Sequence, residues 1–135
     1  MPKRIWRAIT RSRAETSPGE RDPRLRGRVY ALPYARVWQA VEDEAAAMPR
    51  WSVGRIDGRA GVLGAEARTR MWRFVDDVEV RVSLDLHGWT RVDVRSASRM
   101  GGADLGTNAR RIARFLHRLD ARLHRDGEGT EPQPR

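Results

Sequence analysis

The feature of this sequence that most constrains its fold is a strict alternation of apolar and polar residues between positions 78 and 86. The apolar positions are Val78, Val80, Val82, Leu84 and Leu86. Successive side chains of a strand point to opposite faces of a sheet, so this pattern predicts a strand with one buried face.

The same apolar phase resumes at Val92 and Val94, after the tripeptide His87-Gly88-Trp89. This spacing predicts an antiparallel hairpin with a three-residue loop and glycine at the left-handed position. In that register Asp77 lies opposite Arg99.

Two other segments repeat apolar residues at intervals of three and four, which predicts helices. The apolar stripes are Tyr34, Val37, Trp38, Val41, Ala45 and Met48 in the first, and Asn108, Ile112, Phe115, Leu116, Leu119 and Leu123 in the second. The first helix begins at Pro33, ends at Pro49 and carries Glu44 on its polar face. Further strands are predicted at Arg28–Leu32, Trp51–Asp57 and Val62–Thr69. This order predicts an α+β fold: an antiparallel, curved sheet of about four to five strands, with both helices packed on one face.

We expect three regions along the 135 residues. Residues 1–27 form a basic flexible tail, 28–125 a single α+β domain and 126–135 a disordered polar tail. Residues 14–26 are polar and contain proline and glycine, which indicates a linker without a core face. A chain of this length can bury one core without metals or disulfides.

Composition excludes some chemistry. The sequence has no cysteine, so disulfides and cysteine-ligated metals are excluded. The net charge of +9 favours an anionic partner, but Lys3 is the only lysine and the arginines are spread along the chain, as GC-rich coding alone produces. No apolar run is long enough for a membrane span or a secretory signal. We therefore expect a cytoplasmic protein, which residues 1–13 could attach to a membrane surface.

The segment from the last strand into the second helix carries the pattern R-S-x-S-R-x-G-x-x-D-x-G-x-N-x-x-R. Its residues are Arg95, Ser96, Ser98, Arg99, Gly101, Asp104, Gly106, Asn108 and Arg111. A second pattern, an aromatic residue, an acidic pair and an alternating strand with arginine, consists of Phe74, Asp76, Asp77, Val78, Val80 and Arg81. On these residues the sequence closely resembles the bacterial and plastid family catalogued as domain of unknown function fourteen ninety-nine, from about Arg28 to Leu123. The resemblance implies no known reaction.

A glycine loop that enters a helix leaves backbone N–H groups at the positive end of the helix dipole. Arg95 and Arg99 share one face of the strand, and Arg111 lies two turns into the helix. We therefore hypothesise a non-enzymatic module in which the loop from Ser98 to Asn108 and these arginines bind an anionic small molecule or a lipid headgroup. No cofactor, metal or catalytic residue is predicted.

Three alternatives stay open. The same residues can form an internal network, with Asp104 capping the helix and Arg99 paired with Asp77. A hydrolase-like enzyme would use Asp76, Asp77 or Asp104. A weak nucleic-acid binder would use the basic face of the last helix, formed by Arg110, Arg114, Arg118 and Arg122. The sequence gives no indication of oligomeric state.

Overall fold

The computed structural model describes residues 13–20, 22–69, 74–99 and 105–124. The strands are β1 (Arg13–Glu15), β2 (Arg28–Tyr30), β3 (Trp51–Asp57), β4 (Val62–Arg68), β5 (Val75–Leu84) and β6 (Thr90–Ser98). The helices are α1 (Tyr34–Ala47) and α2 (Leu105–Leu123), with one 3-10 turn at Pro23–Leu25. The α+β class is confirmed, and the antiparallel sheet has six strands rather than four to five.

The edge strand of the sheet is built from two separate pieces. β1, β6, β5, β4 and β3 follow one another across the sheet, and β2 pairs with the same edge of β6 as β1 does. Arg13 lies opposite Ala97, whereas Arg28 lies opposite Val92. β1 and β2 are therefore one interrupted strand, with residues 16–27 as the interruption.

The prediction of a linker without a core face over residues 14–26 is wrong. Ala14 is buried in the core, and the hydroxyl of Thr16 donates a hydrogen bond to Asp93 at 2.7 Å. Folded structure therefore begins before Arg28. A strand of three residues is too short for its periodicity to be visible in a sequence. Residues 1–12 of the predicted basic tail, and the whole predicted tail at 126–135, lie outside the described residues.

The register predicted for the β5–β6 hairpin is wrong by two residues, since Asp77 lies opposite Ala97 instead of Arg99. The carboxylate of Asp85 accepts the backbone N–H groups of residues 87 and 89 at 2.8 and 2.9 Å. These hydrogen bonds from the loop to the Asp85 side chain compete with the backbone hydrogen bonds between the strands. The loop therefore extends over residues 85–89.

Both helices pack against one face of the sheet. The buried residues include Val37, Val41 and Ala45 of α1, Ile112, Phe115, Leu116 and Leu119 of α2, and Leu63, Val78, Val80, Val82, Val92 and Val94 of the sheet. Met48 has ψ 131° and ends α1, because the residue before a proline is disfavoured in the helical region. The chain then turns through Pro49 into β3, where Trp51 stacks on Phe115 at 5.3 Å.

Contacts between polar and charged side chains also join α2 to α1 and to β2. Glu44, predicted on the polar face of α1, is instead only 1% exposed and contacts Arg118 at 2.5 Å and Arg122 at 3.1 Å. The hydroxyl of Tyr30 donates a hydrogen bond to Asp120 at 2.5 Å. Burial, reinforced by Asp120, raises the pKa of Tyr30 well above its usual value. The polar face of α2 is therefore partly an internal surface.

Candidate functional site

The residues of the sequence pattern separate onto the two faces of the sheet. Ser96 and Ser98 point toward the helices and are buried, whereas Arg95 and Arg99 lie on the opposite, outer face. Arg111 reaches the helix-covered face from α2, where it contacts the Ser96 hydroxyl. The structure therefore does not bring the three arginines to one place.

On the outer face, each of the two arginines contacts carboxylates. Arg95 Nη2 lies 2.8 Å from Glu15 Oε2, and Arg99 Nη2 lies 2.7 Å from Asp77 and 2.6 Å from Glu66. The hydrogen bonds that Arg99 donates to Asp77 and Glu66 raise the pKa of Arg99, and the one to Glu66 lowers the pKa of that carboxyl. Both guanidinium charges are thus compensated within the protein.

On the helix-covered face, five residues form what we call the hallmark network: Asp76, Ser96, Ser98, Asn108 and Arg111. Arg111 Nη1 donates to Ser96 Oγ at 3.0 Å and to Asn108 Oδ1 at 2.9 Å, and lies 2.6 Å from Asp76 Oδ2. Ser96 Oγ donates to Asn108 Oδ1 at 2.7 Å, and Asn108 Nδ2 donates to Ser98 Oγ at 3.4 Å. All but Arg111 are at most 1% exposed, so the network ties β5, β6 and α2 together inside the protein.

The remaining predicted residues take other positions. Gly101 and Asp104 lie outside the described residues. Gly106 lies in the first turn of α2, and Phe74 precedes β5 with 41% of its surface exposed. Arg81 lies on the outer face, 2.8 Å from a glutamate of its own strand.

Next to the hallmark network lies a cavity of about 360 Å³, between the α1–β3 turn, the end of β4 and the first turns of α2. It is lined by the arginines Arg50, Arg68, Arg110, Arg111 and Arg114. Its other lining residues are Met48, Pro49, Trp51, Ala67, Thr69 and Thr107. We call it the arginine cleft; among the described residues, no carboxylate lines it.

Three of the five arginines of the cleft are uncompensated. The side chains of Arg50, Arg68 and Arg114 form no hydrogen bond or ion pair with any other part of the chain that the structure describes. Arg68 contributes to the lowered pKa of Glu66, but that carboxylate is already bonded to Arg99. Among the described residues, the cleft therefore brings together three positive charges that have no carboxylate partner.

Two further features mark the same cavity. Arg50 has φ 65°, a left-handed conformation that is uncommon for residues other than glycine and is concentrated at functional sites. Its carbonyl accepts the N–H of Arg68 at 2.9 Å, which holds this turn against the end of β4. The buried Oγ1 of Thr69 has no hydrogen-bond partner within the described ranges.

A larger cavity of about 470 Å³ lies over β3, β4 and β5. Its charged residues include Glu66, Asp77 and Arg99, and Arg99 donates hydrogen bonds to both carboxylates. That mutual pairing leaves less charge available to a ligand than the arginine cleft has.

Sequence reasoning missed Arg50 and Arg68 entirely. They occupy a turn and a strand end, where no periodic pattern distinguishes one arginine from the others. Arg110 and Arg114 were noticed only as part of a basic helix face. The one available signal was the position of Arg114, three residues after Arg111 and four after Arg110, since residues three and four apart lie on the same side of a helix.

Within the described ranges, no helix combines the length and apolar character needed to cross a membrane.

Comparison with known proteins gives one result that covers most of the chain. Neither the curated proteins nor the solved structures yield a match. A family model described as "Protein of unknown function (DUF1499)" matches residues 7–119. The chain therefore belongs to the DUF1499 family, as the hallmark residues predicted.

Proposed function

We propose that this protein binds an anionic ligand, a small molecule or a lipid headgroup, in the arginine cleft. The observation that carries the proposal is that three residues lining one cavity, Arg50, Arg68 and Arg114, have guanidiniums without a partner among the residues that the structure describes. All three residues are exposed to solvent, so an anion can reach their guanidiniums and accept charge-assisted hydrogen bonds from them.

This proposal keeps the ligand class expected from the sequence and moves the site from the loop to the neighbouring cleft. Arg111 belongs to both, because its guanidinium lines the cleft while one nitrogen is held in the hallmark network. The network therefore supports the site by fixing one of its walls, rather than by contacting the ligand itself.

The alternatives find less support. Nucleic-acid binding along α2 would need four arginines. Two of them, Arg118 and Arg122, contact Glu44 instead. For an acid–base enzyme, Asp76 is buried against Arg111 and Asp77 is bonded to Arg99 on the other face of the sheet. The two carboxylates therefore do not meet at one open cavity.

The proposal can be tested by NMR titration, which resolves individual arginine Nε–H groups in a chain of 15.4 kDa. Addition of sodium phosphate at constant ionic strength should shift the Nε–H signals of Arg50, Arg68 and Arg114 in a saturable way. Arg59 is a matched control, since it is exposed and lies in the β3–β4 turn at the opposite end of the same hairpin. Shifts that do not saturate, or that are equal at Arg59, would mean general screening instead of a site.

A further inference from the structure

The charge of the arginine cleft exceeds what a singly charged ligand can balance. Arg50, Arg68 and Arg114 carry three positive charges without a carboxylate partner in the described parts of the chain. A bound monoanion would balance one of these three charges, whereas a dianion would balance two. A ligand with at least two negative charges fits this balance better.

The three arginines also come from three different walls. Arg50 belongs to the turn after α1, Arg68 to the end of β4, and Arg114 to α2. A guanidinium offers its N–H donors as a planar fork that matches phosphate or carboxylate oxygens in pairs. A carboxylate has two oxygens in one plane, whereas a terminal phosphate has three oxygens directed to different sides.

Hydroxyl groups add to this donor set. Thr69 and Thr107 line the same cavity, and the Oγ1 of Thr69 is buried without a partner among the residues described. A buried polar group without a hydrogen bond is costly, so an oxyanion that reached this hydroxyl would stabilise the protein.

The remaining wall is apolar. Met48, Pro49, Trp51 and Ala67 line the cavity, and the ring of Trp51 is held in place by stacking on Phe115. A volume of about 360 Å³ lies in the range of pockets that hold small organic ligands. The cleft therefore has room for an organic group beside its charged end.

From these features we infer that the arginine cleft recognises a phosphomonoester, with its doubly charged phosphate at Arg50, Arg68 and Arg114 and its organic group against Trp51. This inference rests on the proposed function and specifies the ligand class of that site. The shared chemistry covers a soluble phosphate ester and a lipid whose headgroup is a phosphomonoester.

The deciding experiment is calorimetric titration of the whole chain with phenyl phosphate and with methyl phenyl phosphate, which carry the same ring and differ by one negative charge. The monoester should bind at least about tenfold more tightly, because one charge-assisted hydrogen bond accounts for that factor or more. Arg114→Gln should remove most of this preference, whereas Arg59→Gln, an equal change of charge outside the cleft, should leave it unchanged. Urea denaturation of both variants confirms that they are folded.

The outcomes separate the two levels of the argument. If both esters bind equally and Arg114→Gln weakens both, the cleft is an anion site but the phosphomonoester inference is wrong. If neither ester binds, or if the two variants behave alike, the inference and the proposed function both fail.

Vesicles distinguish the two sources of the ligand. Phosphatidylcholine vesicles are prepared with equal molar amounts of either phosphatidic acid, a phosphomonoester, or phosphatidylglycerol, a diester. Sedimentation with phosphatidic acid alone, lost in Arg114→Gln, supports a lipid phosphomonoester. Binding of phenyl phosphate without sedimentation supports a soluble one. Equal, Arg114-dependent sedimentation with both lipids would contradict selection for a doubly charged phosphate.

Discussion

At the scale of single residues, Arg50 combines a backbone cost with a side-chain role. Its φ of 65° puts a residue with a Cβ into the left-handed region, where glycine is usual. Its guanidinium lines the arginine cleft without a partner in the described structure. A residue that destabilises the fold while supplying charge to a cavity is typical of a site where stability is given up for binding.

This balance predicts different effects for two substitutions of Arg50. Arg50→Gly should have a free energy of unfolding about 1 kcal/mol higher than Arg50→Ala, because alanine keeps the strained conformation and glycine relieves it. Both variants should weaken anion binding equally, since both lack the guanidinium. Urea denaturation measures the first effect and NMR titration with phosphate the second. Equal stability of the two variants would mean that the turn relaxes without cost.

At the scale of elements, the hallmark network fixes α2 against β5 and β6. Arg111 and Asp76 form its charged centre, with side chains 10% and 0% exposed. Neither carboxylate oxygen of Asp76 has a hydrogen-bond partner in the described part of the chain, so the approach of Arg111 Nη1 to Oδ2 at 2.6 Å is the main compensation for the charge of Asp76. Breaking such a pair on one side is therefore costly, because the other charge stays buried alone.

A double-mutant cycle tests that coupling. Asp76→Asn should lower the free energy of unfolding by about 3 kcal/mol, because the charge of Arg111 then loses its partner. Arg111→Gln should have a similar effect, and the double variant should be clearly more stable than the sum of the two predicts. Denaturant midpoints of the four proteins provide the measurement. Additive losses would show that the two side chains act independently.

The elements also show what a sequence can and cannot reveal. The α1, β5 and α2 periodicities were sufficient for a correct fold class, because each has a long amphipathic pattern. The hairpin register failed, since the Asp85 carboxylate caps two loop N–H groups and adds two residues to the loop. The prediction that Glu44 lies on the polar face of α1 was also wrong, because its burial depends on contacts with Arg118 and Arg122, which are more than seventy positions away.

At the scale of the whole molecule, the candidate site is a product of tertiary packing. The pattern from Arg95 to Arg111 predicted the family correctly and contains one residue of the cleft, Arg111. The other walls come from a turn and a strand end at Arg50 and Arg68, which carry no motif. A net charge of +9 gave no location for an anion, and only the structure distinguishes compensated arginines from uncompensated ones.

The positive charge of the arginine cleft predicts that phosphate reverses the order of stability of the wild type and Arg114→Gln. In dilute sodium chloride, Arg114→Gln should be more stable than the wild type by about 0.5 kcal/mol, because it removes repulsion within the cleft while keeping a good helix former. Arg59→Gln should change less, since Arg59 lies at the far turn of the β3–β4 hairpin. In sodium phosphate of the same ionic strength, the wild type should become the more stable protein, because a ligand that binds only the folded state stabilises it as its concentration rises. Thermal unfolding in the two salts gives the comparison directly. General screening would stabilise all three proteins alike at equal ionic strength, so a reversal confined to Arg114→Gln would locate the anion effect in the cleft, and its absence would count against a site there.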